Sequence, residues 1–77
     1  AKEYADKGIR VNAICPAFTH TPMLADLTGL EDMASTVIPL QRCGTAEEVA
    51  NSIFWVCSPK ASFMTGVTLP VDGGLLA

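Results

Sequence analysis

Ile9-Arg-Val-Asn-Ala-Ile-Cys-Pro-Ala-Phe-Thr-His-Thr-Pro-Met23 is the stretch whose reading decides the fold. Ile9, Val11, Ala13 and Cys15 fall on one side of an extended chain, with Arg10, Asn12 and Ile14 on the other. Such partial alternation predicts a strand of a parallel sheet, covered on both faces toward its carboxyl end. Pro16 is expected to stop the ladder, because it has no amide hydrogen to give. A polar loop over 17–22 follows. Thr21-Pro22 then reads as an N-cap and first helical residue, opening a short helix through Met23, Leu24, Ala25, Asp26 and Leu27. Open α/β sheets bind ligands in the crevice beyond the carboxyl ends of their strands, so the ligand is expected at this loop. Asn12 is expected to tie a neighbouring loop by hydrogen bonds rather than to catalyse.

Upstream, Ala1 to Lys7 are mostly good helix formers, and Gly8 suits a helix C-terminus that turns left-handed. Tyr4 and Lys7 stand three apart, which an exposed helix surface explains. Downstream, Gly29 breaks the short helix and Leu30 to Ile38 predicts another, closed by Pro39. The apolar residues Met23, Leu24, Leu27, Leu30, Met33 and Ile38 either line a lid over a pocket or pack on the body.

Thr45-Ala-Glu-Glu48 is a capping-box signature, with two acidic residues at the positive end of a helix. That helix carries Val49, Ala50, Ile53, Phe54 and Cys57 as a stripe expected to face a sheet, widened by Trp55 and Val56. Ser58-Pro59 ends it. Val67 to Val71 predicts a second strand, which Pro70 assigns to a sheet edge, and Asp72-Gly73-Gly74 a turn. Two strands joined through a helix form a parallel crossover.

Composition narrows the class. Of 77 residues, 49% are hydrophobic and 17% charged, which excludes a disordered chain. The net charge is −3 and Lys2, Lys7, Arg10, Arg42 and Lys60 are scattered, so neither nucleic acid nor an anionic membrane is an expected partner. No apolar run approaches a membrane span. Cys15, Cys43 and Cys57 are odd in number, and no Cys-x-x-Cys occurs. With His20 the only histidine, a structural zinc site is not expected, and the thiols read as free in a reducing, cytoplasmic setting. Two strands leave a parallel sheet open on both faces. The expectation is therefore that residues 1–77 are the C-terminal part of a larger doubly wound domain, beginning in mid-helix.

Three stretches carry a family resemblance: Gly8 to Met23, Pro39-Leu-Gln-Arg-Cys-Gly-Thr-Ala-Glu-Glu-Val-Ala50, and Ala61-Ser-Phe-Met-Thr-Gly-Val-Thr-Leu-Pro-Val-Asp-Gly-Gly74. Together, and in this order, they resemble the C-terminal portion of the short-chain dehydrogenases/reductases. The resemblance implies an α/β Rossmann-type doubly wound sheet, of which this chain holds the last two strands and their crossover helix. It also implies NAD or NADP as cofactor, a small-molecule alcohol or carbonyl as substrate, and a homo-oligomer, dimer or tetramer.

By position, the backbone around Phe18 would bind the nicotinamide carboxamide, with Pro16 and Ala17 shaping the approach. Thr21 would place its hydroxyl on the carboxamide or pyrophosphate, and Thr19 would line the loop. Met23, Leu24 and Leu27 would contact substrate. The family's glycine-rich phosphate loop and its catalytic serine, tyrosine and lysine are expected upstream of Ala1, so no catalytic residue is assigned within the chain. An inactive homologue serving as a scaffold is the alternative. Two residues depart from the family pattern, since Ala17 and Gln41 stand where glycine is usual. Alanine at 17 carries a cost only if that backbone needs positive φ.

Overall fold

The structure, a computed structural model, describes residues 1–21 and 29–77. Among the described residues, four short strands and two α-helices follow a short 3-10 opening. A 3-10 helix spans Lys2–Lys7 and ends at Gly8, whose φ of 76° places it in the left-handed region. The glycine stop is as expected, but the helix is 3-10 rather than α. Lys7 lies over the Tyr4 ring, with Nζ 5.5 Å from its centroid, which satisfies both residues as an exposed pair.

Strand β1, Ala13–Pro16, pairs in parallel with β4, Thr68–Val71, in the register Ala13↔Thr68 through Pro16↔Val71. The regular strand therefore begins four residues later than Ile9. Before it, the chain is still bonded across: the Gly66 amide donates to the Val11 carbonyl at 2.8 Å and the Ala13 amide to the Val67 carbonyl at 2.9 Å. Pro16 is the last residue of β1, as expected. It takes the last paired position, and the Ala17 amide then donates to the Val71 carbonyl at 3.3 Å. A proline is tolerated there because alternate amides of this strand donate to β4, those of Ala13 and Ala17 among them, so no bond to β4 is asked of position 16.

Asn12 performs the tie its residue type suggested. Its Nδ2 donates to the Met64 carbonyl at 3.1 Å, and its Oδ1 accepts from the Val67 amide at 3.1 Å. Arg10 adds two bonds to the same connection, to the carbonyls of Met64 at 3.0 Å and Ser58 at 3.3 Å. The loop that leads into β4 is thus clasped by polar side chains from the start of β1.

Helix α1, Leu30–Val37, is preceded by Gly29 at φ 82° and followed by an extended Ile38, in agreement with the boundary expected at Pro39. Helix α2, Ala46–Cys57, has the full capping box: the Glu48 amide donates to Thr45 Oγ1 at 3.1 Å, and the Thr45 amide donates to Glu48 Oε1 at 2.9 Å. A second 3-10 turn, Pro59–Ala61, follows and has Ser58 as its cap.

Two further strands, one before α1 and one before α2, form a pair that no periodicity announces. Strand β2, Thr19–His20, runs parallel to β3, Gly44–Thr45, with Thr19↔Gly44 and His20↔Thr45 opposite. The resulting architecture is α/β, with two parallel two-stranded sheets and crossover helices.

The buried core among the described residues is small: Ala34, Ile38, Cys43, Val56 and Ala61. Ala34, Ile38 and Cys43 form its centre, with Phe18 and Leu30 packed against them. Leu30 and Ile38 therefore pack on the body, while Met33 is exposed; Met23, Leu24 and Leu27 lie outside the described residues. The stripe expected on α2 is corrected in the same way. Val56 is buried and Val49 half-buried, but Ile53, Phe54 and Trp55 are exposed, Phe54 at 79%. Two short strands are too narrow to cover an apolar face that wraps this far around a helix.

The two glycine departures separate. Ala17 does not have positive φ, so its methyl group is accommodated without strain. Gln41 does, at φ 62°, where a side chain costs about 1–2 kcal/mol relative to a favoured conformation. Gln41→Gly should therefore raise the unfolding free energy by about 0.5–1 kcal/mol, the relief of strain being partly offset by glycine's greater unfolded freedom. Urea denaturation checks this.

Candidate functional site

The carboxyl ends of β1 and β4 lie together, because the two strands are parallel and in register to their last residues. Beyond them opens a cleft of about 530 Å³, lined by Phe18, Val49, Val71, Gly73 and the side chains of Arg42 and Glu48. Phe18 brings the loop after β1 into this cleft. Its carbonyl accepts from the Gly44 amide at 2.9 Å, so the β3 backbone fixes the loop while the second carbonyl lone pair stays available.

The expected site residues sort by what holds them. Pro16 is in the ladder, and Ala17 is bonded to Val71 by its amide. Thr19 donates its hydroxyl to the Ala17 carbonyl at 2.9 Å, closing the loop on itself, so this hydroxyl shapes the loop and keeps only accepting capacity for a ligand. Thr21 follows β2 half-buried. Of Pro16 through Thr21, Phe18 alone lines the cleft.

Sequence patterns missed the charged wall of the cleft. Arg42 grips Glu48 with two parallel bonds, Nη1 to Oε1 at 2.8 Å and Nη2 to Oε2 at 2.9 Å. Fork-on-fork pairing of this kind is the strongest arrangement open to an arginine and a carboxylate. The bonds from Arg42, then that from the Thr45 amide, hold the Glu48 carboxyl at a pKa of about 2, below its ordinary 4.5. The six-residue separation was visible, but only the turn at Gln41 aims the guanidinium back at the helix cap.

Because the folded state lowers this pKa, the pair's contribution is complete above pH 4.5 and is lost as the pH falls toward 2. Glu48→Gln should flatten the acid limb of the stability curve in that window and leave its neutral-to-alkaline shape alone. Thermal melts from pH 2 to 7 read the difference.

Cys43 is 2% exposed, and burial, then the neighbouring Glu31 charge, raises its thiol pKa above the usual range. It stays a neutral thiol at pH 7 and is no nucleophile. Cys15 and Cys57 are exposed and free. Among the described residues no helix is long and apolar enough to cross a membrane.

A parallel α/β arrangement with its cleft beyond the strand ends is the Rossmann-like class of fold. Residues 1–76 match the family described as enoyl-(acyl carrier protein) reductase, and the chain belongs to the short-chain dehydrogenases/reductases. Short-chain dehydrogenase RED2 of Pyricularia oryzae is 44% identical over 96% of this chain and 28% of its own length. A 3-oxoacyl-[acyl-carrier protein] reductase from Brucella melitensis superposes with a TM-score of 0.92 at 37% identity, covering 100% of this chain and 29% of that one. A further such reductase from Brucella melitensis, with bound NAD, gives 0.87 at 35% identity, covering 100% and 28%. The chain therefore spans under a third of the length of these relatives.

Proposed function

We propose that residues 1–77 are the C-terminal part of a single Rossmann domain in an NAD(P)-dependent oxidoreductase that interconverts an alcohol and a carbonyl. The observation that carries this reading is the loop after β1, held at the carboxyl end of a parallel strand, with Phe18 lining the cleft. The bound NAD of the similar Brucella melitensis reductase supports a nicotinamide cofactor. The residues present fit that group. Ala17, without positive φ, leaves the loop unstrained, and Phe18 and Thr21 offer backbone and hydroxyl groups for a carboxamide.

Phe18, Pro16, Ala17, Thr19 and Thr21 would hold the nicotinamide end, and the cofactor would supply the hydride chemistry. The chain's own part is to bind and orient. Met23, Leu24 and Leu27 are assigned to the substrate side, and the proton chemistry to residues upstream of Ala1.

Packing supports a larger domain. The radius of gyration is 15.0 Å, against roughly 11–12 Å for a compact chain of this length. Phe54, Phe63 and Leu76 are 79%, 102% and 75% exposed, more apolar area than a stable free domain leaves in water. The remainder of the Rossmann domain, and the contacts of a cytoplasmic homo-oligomer, would cover it.

Thr21 supplies the test. In the full-length protein, Thr21→Ala should weaken NAD(P)H binding about 2–13-fold, the worth of one hydrogen bond of about 0.5–1.5 kcal/mol. Fluorescence titration measures it, and unchanged affinity removes Thr21 from the site. Failure of the wild-type protein to bind either dinucleotide would remove the oxidoreductase reading and leave a scaffold.

A further inference from the structure

At the β2–β3 pair, three side chains of metal-ligating type converge from three separate segments. His20 ends β2, Glu31 lies in the first turn of α1, and Cys43 immediately precedes β3. Their ligand atoms, an imidazole nitrogen, a carboxylate oxygen and the Cys43 sulfur, all lie within 4.8 Å of one another. His20 Nε2 and Glu31 Oε1 are in direct contact.

The convergence is built by the fold. The register Thr19↔Gly44 sets His20 just past, and Cys43 just before, one rung of a parallel ladder. The Phe18–Gly44 backbone bond of 2.9 Å locks that rung. Cys43 packs with Ala34 and Ile38 of the α1 segment, and Leu30 closes on the same cluster, which brings the adjacent Glu31 over the sulfur. Cys43 is thus a rigid floor, while His20 and Glu31, with side chains 53% and 54% exposed, form an adjustable rim open to solvent.

We propose that His20, Glu31 and Cys43 form a three-ligand site for a borderline-soft divalent cation, zinc above all. Nitrogen, oxygen and sulfur together suit zinc, whereas magnesium and calcium require oxygen shells. Bonds of about 2.0–2.3 Å to a tetrahedral ion set ligand atoms roughly 3.3–3.6 Å apart. The spacing here reaches that by rotation of the two exposed side chains, which part to admit the ion. Binding takes Cys43 as the thiolate, its proton passing to solvent, and leaves the fourth position to water. Bound there, the ion would cross-link β2 to α1. It is an open site of three ligands, unlike the closed structural sites whose cysteine pairs the sequence lacks.

Cobalt(II) titration of the chelator-treated full-length protein tests this. One equivalent should give a near-ultraviolet thiolate-to-cobalt charge-transfer band with tetrahedral visible bands, displaced by zinc. Cys43→Ser should abolish the charge-transfer band. His20→Ala and Glu31→Gln, at half-exposed positions that leave folding intact, should each weaken cobalt and zinc binding at least tenfold. Absence of the band in the wild-type protein, or unchanged affinity in both rim variants, overturns the site.

Discussion

Gly73→Ala should lower the unfolding free energy by about 2–4 kcal/mol and shift the urea midpoint correspondingly. Two costs combine at this position. The backbone stands at φ 62°, where an L side chain costs about 1–2 kcal/mol. A Cβ there would also sit 2.6 Å from Ile38 Cγ2 and 3.5 Å from Leu40 Cβ, and Ile38 is a buried core residue with nowhere to withdraw. Overpacking of that kind costs about 1–3 kcal/mol. The Leu40 amide donates to the Gly73 carbonyl at 3.1 Å, so the turn cannot slide away from the clash. Gly8→Ala is the control: φ is 76° but nothing lies within 4 Å of the added methyl, so only the backbone cost should appear. Equal losses for the two variants would show that the contact with Ile38 is soft.

Asn12→Ala comes next in size, at about 2 kcal/mol, because two hydrogen bonds are lost and the Val67 amide is left without its acceptor. The effect should be concentrated on the 64–67 connection, with faster amide exchange there and in β4 before any global opening. Asn12→Asp discriminates the two halves of the tie. It keeps an acceptor for Val67 but turns a carboxylate toward the Met64 carbonyl, which Arg10 then shares alone. The aspartate variant should therefore retain protection at Val67 and still lose stability. Denaturation with native-state hydrogen exchange separates these outcomes.

Much of the fold was legible because local chemistry carried it. Thr45 and Glu48 announced α2 by donor–acceptor pairing four residues long, which needs no partner element. Asn12 promised a tie because an amide among apolar residues, if buried, must find partners, and it did. The parallel crossover followed from two apolar runs with a helix between them. By contrast, the strand start at Ala13 was set by where the β4 backbone begins, which the residues of β1 do not encode.

The candidate site divides in the same way. The sequence by itself determined that a loop follows the strand ending at Pro16, since a proline at a strand end is a local signal, whereas the helix expected from Thr21-Pro22 lies outside the described residues. Only tertiary structure decided that Ala17 is unstrained while Gln41 is held at positive φ, that Arg42 turns back onto Glu48, and that His20, Glu31 and Cys43 meet. His20 and Glu31 stand 11 residues apart, on no common period, and converge because a two-residue ladder and a small buried cluster clamp their elements together. Side-chain chemistry is written along the chain, but proximity between elements is set by packing, and packing is a property of the whole fold.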